Sequence, residues 1–302
     1  MVVTFNTGTT EGLDHDGPPD DGYTSAEAAI SDTWYGNGLA WADAVEATRA
    51  FIERVDPDVV VFQEIFFTGD CAAVPAEARP GFVCEGWSPG DPSVVQVVLG
   101  SRYQIACHPG KPDKCAAVKR DFGRFRGCED DFCLEGLAGA PLSGCGSGAR
   151  VARGVIDRPN GDVLTLVSVH GTSGFSIEDQ DCRVRQVEQV FVDLGDGEPG
   201  ANGANNVILG DFNTDPGRAA AFDPSAARWN DFVNDSTSVR FITRVGASAP
   251  GSYLGTFDID HVLSDAFVGS CVHAGLGDGP PPVFDGVYFD HLPVICTLSN
   301  GP

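Results

Sequence analysis

Apolar residues fall along this chain in short runs, broken twice by stretches of helical spacing. Val2 to Phe5 reads as a buried strand. Trp41, Val45, Thr48, Phe51, Ile52 and Val55 recur on one helix face and predict an amphipathic helix over about 39–55. Asp56-Pro57 ends it. Val59-Val60-Val61-Phe62 is an unbroken apolar run of strand length, the pattern of a central strand. Val94, Val95, Val97, Val98, Leu99, Tyr103 and Ile105 predict one or two further strands over 94–107. Val151 to Ile156 and Val163 to Val169 flank Pro159-Asn160-Gly161, where an Asn-Gly turn predicts a hairpin. Val184, Val187, Val190, Phe191 and Leu194 predict a second amphipathic helix that Gly195 stops. Val207 to Leu209, Ile259 to Leu263 and Val294 to Leu298 complete the strands.

Helices fall between strands, and no linker is long enough to separate a second core from the first. An α/β sandwich forming one domain over 1–302 is expected. Residues 8–38, rich in Gly, Pro and Asp, read as a long loop or insertion. Residues 107–145, with little periodicity, read as a cysteine-rich excursion outside the core. No stretch approaches the roughly 20 apolar residues of a membrane helix, so no transmembrane segment is predicted.

The 302 residues carry 43 acidic against 19 basic side chains, a net charge of −24. A passive duplex-binding protein has the opposite balance. Solubility in a salty medium is the plain reading, yet acidity is compatible with an enzyme that meets phosphate through a bound divalent cation. Ten cysteines, with no CxxC pair among them, argue for a disulfide framework in an oxidising compartment rather than a zinc site. Met1 runs straight into Val2-Val3-Thr4-Phe5 with no charged leader, as in a secreted protein whose signal peptide is missing. At least four bridges are expected, one of them joining Cys271 to Cys296 on the last two strands.

Polar clusters sit at the ends of the apolar runs, where layered α/β proteins bind ligands. Asn6 follows the first strand, Gln63-Glu64 the second, His170 the second arm of the hairpin, and Gly210-Asp211-Phe212-Asn213 the run 207–209. Asp258-Ile259-Asp260-His261 and Asp290-His291 come later. Each alone reads as a turn or a satisfied core residue. Together they offer oxygen ligands to a hard cation such as Mg²⁺ and histidines for proton transfer or charge stabilisation.

In this order the motifs resemble the endonuclease/exonuclease/phosphatase superfamily, from Asn6 to Leu298. Gly-Asp-Phe-Asn with a late Asp-His-Leu-Pro carries the likeness, and Arg183 and Gln186 match the family's Arg-x-x-Gln. The resemblance implies a four-layer α/β/β/α sandwich of the deoxyribonuclease-like type. It implies that Glu64, with Asn6 and Asp290, holds a divalent metal: Mg²⁺, with Mn²⁺ or Ca²⁺ as alternatives. Asp211 would align or deprotonate the attacking water, and Asn213 would hold Asp211 or the phosphate. His291 would contact the phosphate with Asp260 behind it, and His170 would be the second phosphate-facing histidine. Asp211 and Asn213, spaced i, i+2, would project to one side of an extended chain.

The expected activity is metal-dependent phosphodiester hydrolysis by a secreted monomer, with DNA as the favoured substrate. A sphingomyelinase-type lipid phosphodiesterase, a phosphomonoesterase and a catalytically inactive binding module are the alternatives. A lipid enzyme would need exposed aromatics, for which Phe66-Phe67 and Trp34-Tyr35 are candidates. Lys111, Lys114, Lys119, Arg120, Arg124 and Arg126 form a basic island that either lines a nucleic-acid groove or balances its own charge in a cross-linked loop. The acidic loop Asp14 to Asp21 either binds a structural Ca²⁺ or is simply solvated.

Overall fold

Side chains alternate across each strand, and the two faces of each sheet are both apolar. A computed structural model describes residues 1–9, 14–18 and 21–301. In chain order its elements are β1 (Val2–Asn6), α1 (Ser25–Trp34), α2 (Ala42–Val55), β2 (Val59–Gln63), α3 (Val94–Leu99), β3 (Tyr103–His108) and β4 (Lys111–Lys119). Then come β5 (Arg124–Phe125), β6 (Phe132–Cys133), β7 (Val151–Asp157), β8 (Val163–His170), α4 (Ile177–Phe191), β9 (Asn206–Asp211) and α5 (Pro224–Phe232). The last are β10 (Arg240–Phe241), β11 (Asp260–Ser264), β12 (Phe267–His273) and β13 (Val294–Asn300).

The strands form a seven-stranded sheet, β12-β13-β1-β2-β4-β3-β6, and a six-stranded sheet, β10-β11-β9-β8-β7-β5. Val3, Phe5, Val60 and Phe62 pack outward against Phe51, Ile52 and Val95 of the helices. Their neighbours Val2, Val59 and Val61 point the other way and meet Leu164, Leu166, Val207 and Leu209 of the second sheet. Val167, Val169 and Ile208 in turn face Val187, Val190 and Trp229 of α4 and α5. Period-two alternation with both faces buried thus gives three apolar interlayers, and so four layers, α/β/β/α.

Three expectations change. Residues 94–107 are a short helix followed by one strand, because Val94, Val95, Val98 and Leu99 bury one face of α3. Ser93 and Gln96 cap that helix with reciprocal bonds. Residues 107–145 are not wholly outside the core. β4 lies between β2 and β3, with Cys115, Ala116, Ala117 and Val118 buried. Its small and basic residues hide the apolar pattern. Residues 8–38 include α1, whose Thr24 cap and Glu27 form a capping box. The acidic loop is partly structural: Asp21 accepts from the backbone of Val287 and Tyr288, and Asp16 from that of Ser25. Pro19 and Asp20 of that loop lie outside the described residues.

All ten cysteines are paired, Cys71–Cys84, Cys107–Cys115, Cys128–Cys133, Cys145–Cys182 and Cys271–Cys296. The last is the bridge read from the sequence, joining residues directly opposite on β12 and β13. Cys145–Cys182 closes the longest loop, with a sequence separation of 37. In the chain-entropy picture such a closure stabilises by about 4 kcal/mol. It fastens the segment before β7 to α4, beside the edge where the polar strand ends gather.

Candidate active site

Strand direction decides which residues meet. β1 and β2 run parallel, as do β8 and β9, so Asn6, Glu64, His170 and Asp211 all emerge at one edge. β11 is antiparallel to β9 and starts there, which sets Asp260 directly opposite Asp211. On the other side of β9, His170 is in register with Asp211. The Asp211 carboxylate is therefore flanked by a histidine strand and an aspartate strand. With Asn213, Asp290 and His291 these residues sit in or around one cavity of about 450 Å³.

Asp211 is fully buried. Its Oδ2 accepts from Asn6 Nδ2 at 3.0 Å and Asn213 Nδ2 at 2.9 Å, and its Oδ1 accepts from the Asn213 backbone. Asn213 reaches it through a left-handed turn, φ 51°, not through extended chain as expected. Asparagine adopts that conformation more readily than most residues. Burial, with the charge of Asp260 adding, pushes Asp211 up to about 7 against the pull of His291 and Asn6. A carboxyl group there ionises near neutral pH, where a general base works best.

His291 Nδ1 lies 2.6 Å from Asp260 Oδ2, and its Nε2 is 3.9 Å from Asp211 Oδ2. Burial works against its charge, but Asp260 foremost, then Asp211 and Asp290, hold the ring well above its ordinary value. The charged form of the ring is therefore the favoured one at the cavity. His170 is different. Burial and the nearby Lys114 push it down to about 4, so at neutral pH its ring is uncharged. Its Nε2–H points at Glu64 Oε1, 3.2 Å away, with Asp211 Oδ2 at 3.6 Å. Burial would raise Glu64, yet the His170 bond and the surrounding cations hold it at about 2. Glu64 is thus an ionised carboxylate at the cavity wall.

Asn6 lies beside Glu64, but its amide nitrogen faces Glu64 Oε1 at 3.3 Å as well as Asp211, while its oxygen accepts from the Gly8 backbone. It clamps two carboxylates. The glycine matters: a Cβ on Gly8 would run into the Glu64 carboxylate, so Gly8 keeps that oxygen's approach open. The carboxylates around this opening, Glu64 and Asp290, suit a hard divalent cation, whereas the Asn6 oxygen expected to join them already accepts from the Gly8 backbone. Asp211, Asp260 and His291 also bring three ligand atoms within 4.8 Å of one another. There the close Asp260–His291 contact occupies Nδ1, which favours a proton-holding pair over a ligand set.

Two of the cations at the cavity are Lys114, read from sequence as part of the basic island, and Arg150, which no motif singles out. Lys114 is 1% exposed yet lines the cavity, with Nζ 2.9 Å from Asp113, and Arg150 lines it as well. Lys114 reads as loop charge until β4 is recognised as a core strand. The basic island itself is split. β4 spans about 27 Å, so Lys111 and Lys114 lie at the cavity end and Lys119 at the far end. Lys119 pairs with Asp56, Arg120 and Arg124 with Asp131, and Arg126 with Asp157. Only Lys111 and Lys114 of the six line the cavity. The island does not form one groove.

Arg183 and Gln186 prove to be supports. Arg183 is buried on α4 and donates to the carbonyls of Thr172 and Gly174, to Ser225 Oγ and to Asp223. Gln186 Oε1 accepts from the Thr172 backbone. Together they fix the loop that follows His170. Arg183→Lys keeps the charge but loses the planar fork. Stability is expected to fall by about 2 kcal/mol, read from the midpoint of urea unfolding.

A model of the Endonuclease/Exonuclease/phosphatase family matches residues 4–285. Among solved structures, a humanized D. rerio TDP2 with 14 mutations is similar at 13% identity, TM-score 0.54, over 99% of this chain and 98% of that one. The human Nocturnin catalytic domain with bound sulfate is similar at 12% identity, TM-score 0.55, over 99% and 94%. A Bacteroides thetaiotaomicron mannosyl-6-phosphatase is similar at 12%, TM-score 0.51, over 99% and 98%. At these identities the likeness is one of fold. No curated protein matches the chain by sequence.

Proposed function

The chain belongs to the endonuclease/exonuclease/phosphatase family, and on that premise we propose that it hydrolyses phosphodiesters with the help of a divalent cation. The observation that carries this reading is the single constellation around Asp211, with a neutral His170 and Asp260 in register on either side and the His291–Asp260 pair facing it. Asp211 takes a proton from water as the water oxygen bonds to phosphorus; the bond to the leaving oxygen breaks with its electron pair going to that oxygen, which takes a proton from solvent. His291 hydrogen-bonds the phosphate oxygens, and Asp260 fixes its tautomer and charge. Asn213 and Asn6 hold the Asp211 carboxylate still. Glu64, with Asp290, would hold Mg²⁺ or a similar ion, which would supply positive charge to the phosphate in an acidic cleft.

DNA is the substrate favoured from sequence, but its main support there was a basic groove that the fold divides. We therefore place the specificity at a phosphodiester, with DNA one member of the class. The mannosyl-6-phosphatase likeness keeps phosphomonoesters in the test. A secreted protein is supported by the five bridges, and among the described residues no helix is long and apolar enough to cross a membrane. The test is a panel of plasmid DNA, RNA, sphingomyelin, bis(4-nitrophenyl) phosphate and 4-nitrophenyl phosphate, each with and without Mg²⁺. Turnover of at least one diester, dependent on the ion, is expected. Cleavage of the monoester alone would move the chain to the phosphatases, and no turnover of any would leave the binding-module alternative.

A further inference from the structure

The cavity has one feature that phosphate chemistry does not use. Among the described residues three phenylalanines are exposed, Phe175 at 82%, Phe222 at 72% and Phe257 at 42%, and all three line the cavity that holds Asp211 and His291. They come from separate loops, before α4, before α5 and before β11. Ile177 is 81% exposed two residues beyond Phe175, and Leu254 is 48% exposed three before Phe257. Three exposed phenylalanines at one cavity mouth, with Ile177 and Leu254 close in the chain to two of them, mark an interaction surface. Of the aromatic pairs read from sequence, Tyr35 and Phe66 are buried, Tyr35 meeting Phe66 and stacking on Phe82, and Trp34, although 44% exposed, does not line this cavity.

We propose that this rim seats the protein on a zwitterionic phospholipid bilayer, which presents phosphodiester headgroups to the cavity; the inference rests on the phosphodiesterase reading for its chemistry but not for its binding. Charge selects this occupant. A single-stranded nucleic acid would also stack on exposed rings, but it brings a phosphate with every base and needs a basic track. The cavity offers Lys111, Lys114 and Arg150, and Asp113 lies within 3.6 Å of Lys111 and 2.9 Å of Lys114. Glu64, Asp215, Asp223 and Asp290 line the same space, within a chain of net charge −24. That lining tolerates one phosphate with its cation and repels a polyanion or an anionic membrane. A bilayer of no net charge carries no such penalty, and the rings gain by leaving water. Arg183 gives the surface its rigidity, because the carbonyls it holds belong to the loop that carries Phe175.

The test is sedimentation of the full chain with phosphatidylcholine vesicles, beside vesicles containing 30% phosphatidylserine and beside single-stranded DNA, all without added substrate turnover. Partition onto the phosphatidylcholine vesicles is expected, weaker on the anionic ones. Phe175→Ser and Ile177→Ser should each reduce it by about tenfold, as loss of a partly inserted apolar side chain does. Phe175→Trp, which needs no loss of side chain, should show blue-shifted emission on the vesicles. A parent protein that stays in solution, or a Phe175→Trp emission that shifts with single-stranded DNA and not with vesicles, overturns the inference. Hydrolysis of bis(4-nitrophenyl) phosphate by the parent tests the centre separately, so failure at the rim and failure of the chemistry are told apart.

Discussion

Replacing His291 by Ala is expected to lower kcat for a soluble phosphodiester by about 10² to 10⁴-fold, the range for a positioned acid–base group. The ring is buried, charged and aimed at Asp211, with Nε2 left for the phosphate because Nδ1 is taken by Asp260. Asp211→Asn should cost a similar factor. It preserves the size of the side chain and an oxygen for the Asn6 and Asn213 amides to bond, while removing the base. Asp260 acts through His291, so it is a positioning residue. Asp260→Asn should bring kcat toward the His291→Ala level with KM little changed, as expected when the wrong tautomer is held. The double variant His291→Ala with Asp260→Asn should be no slower than His291→Ala alone. Steady-state kinetics of the three single variants and this double variant checks the scheme. Additive losses would separate Asp260 from His291.

What the chain made legible follows from how each feature is encoded. Strands β1, β2, β8 and β9 are short, largely apolar runs, and the residues at their ends are polar by contrast, so Asn6, Glu64, His170 and Asp211 stand out. Asp260 and Asp290-His291 were visible by the same contrast. Their meeting is a matter of topology, which depends on β1 and β2 running parallel and β11 opposing β9; here the order of motifs supplied what periodicity lacks. β4 stayed hidden because its buried face is made of Cys and Ala and its ends are lysines, so composition reads as a loop. With it went Lys114, a buried cation at the site, and the division of the basic island between the ends of one strand. α3 reads as a strand because a valine-rich run favours strands, and only the Ser93 and Gln96 cap tells against that. The left-handed turns at Glu64, φ 59°, and Asn213 leave no trace in hydropathy. Backbone held in that region at a site is where strain and function commonly coincide.

Removal of the divalent cation is expected to abolish turnover, and Glu64→Gln to raise the Mg²⁺ concentration needed for half-maximal rate by about 10²-fold or more. Opposed to the substrate is a cleft that holds Glu64 ionised, has Asp290 beside it and sits in a strongly acidic chain. Without a cation, a phosphate entering that space meets repulsion that His291, Lys114 and Arg150 offset incompletely. Glu64→Gln keeps the length of the side chain and can still bond Asn6, but its charge is gone, which is the property that draws a hard cation away from water. The same change is visible without substrate. A ligand that binds the folded chain stabilises it by about 2.7 kcal/mol at one hundred times its Kd, so Mg²⁺ should raise the parent's Tm. In Glu64→Gln that rise should appear only at correspondingly higher Mg²⁺. The two readouts must move together: a Tm response unchanged by the substitution would place the ion elsewhere, near Asp211, Asp260 and His291. Full turnover in excess chelator would remove the cation from the chemistry altogether, leaving His291 and Lys114 to carry the phosphate's charge.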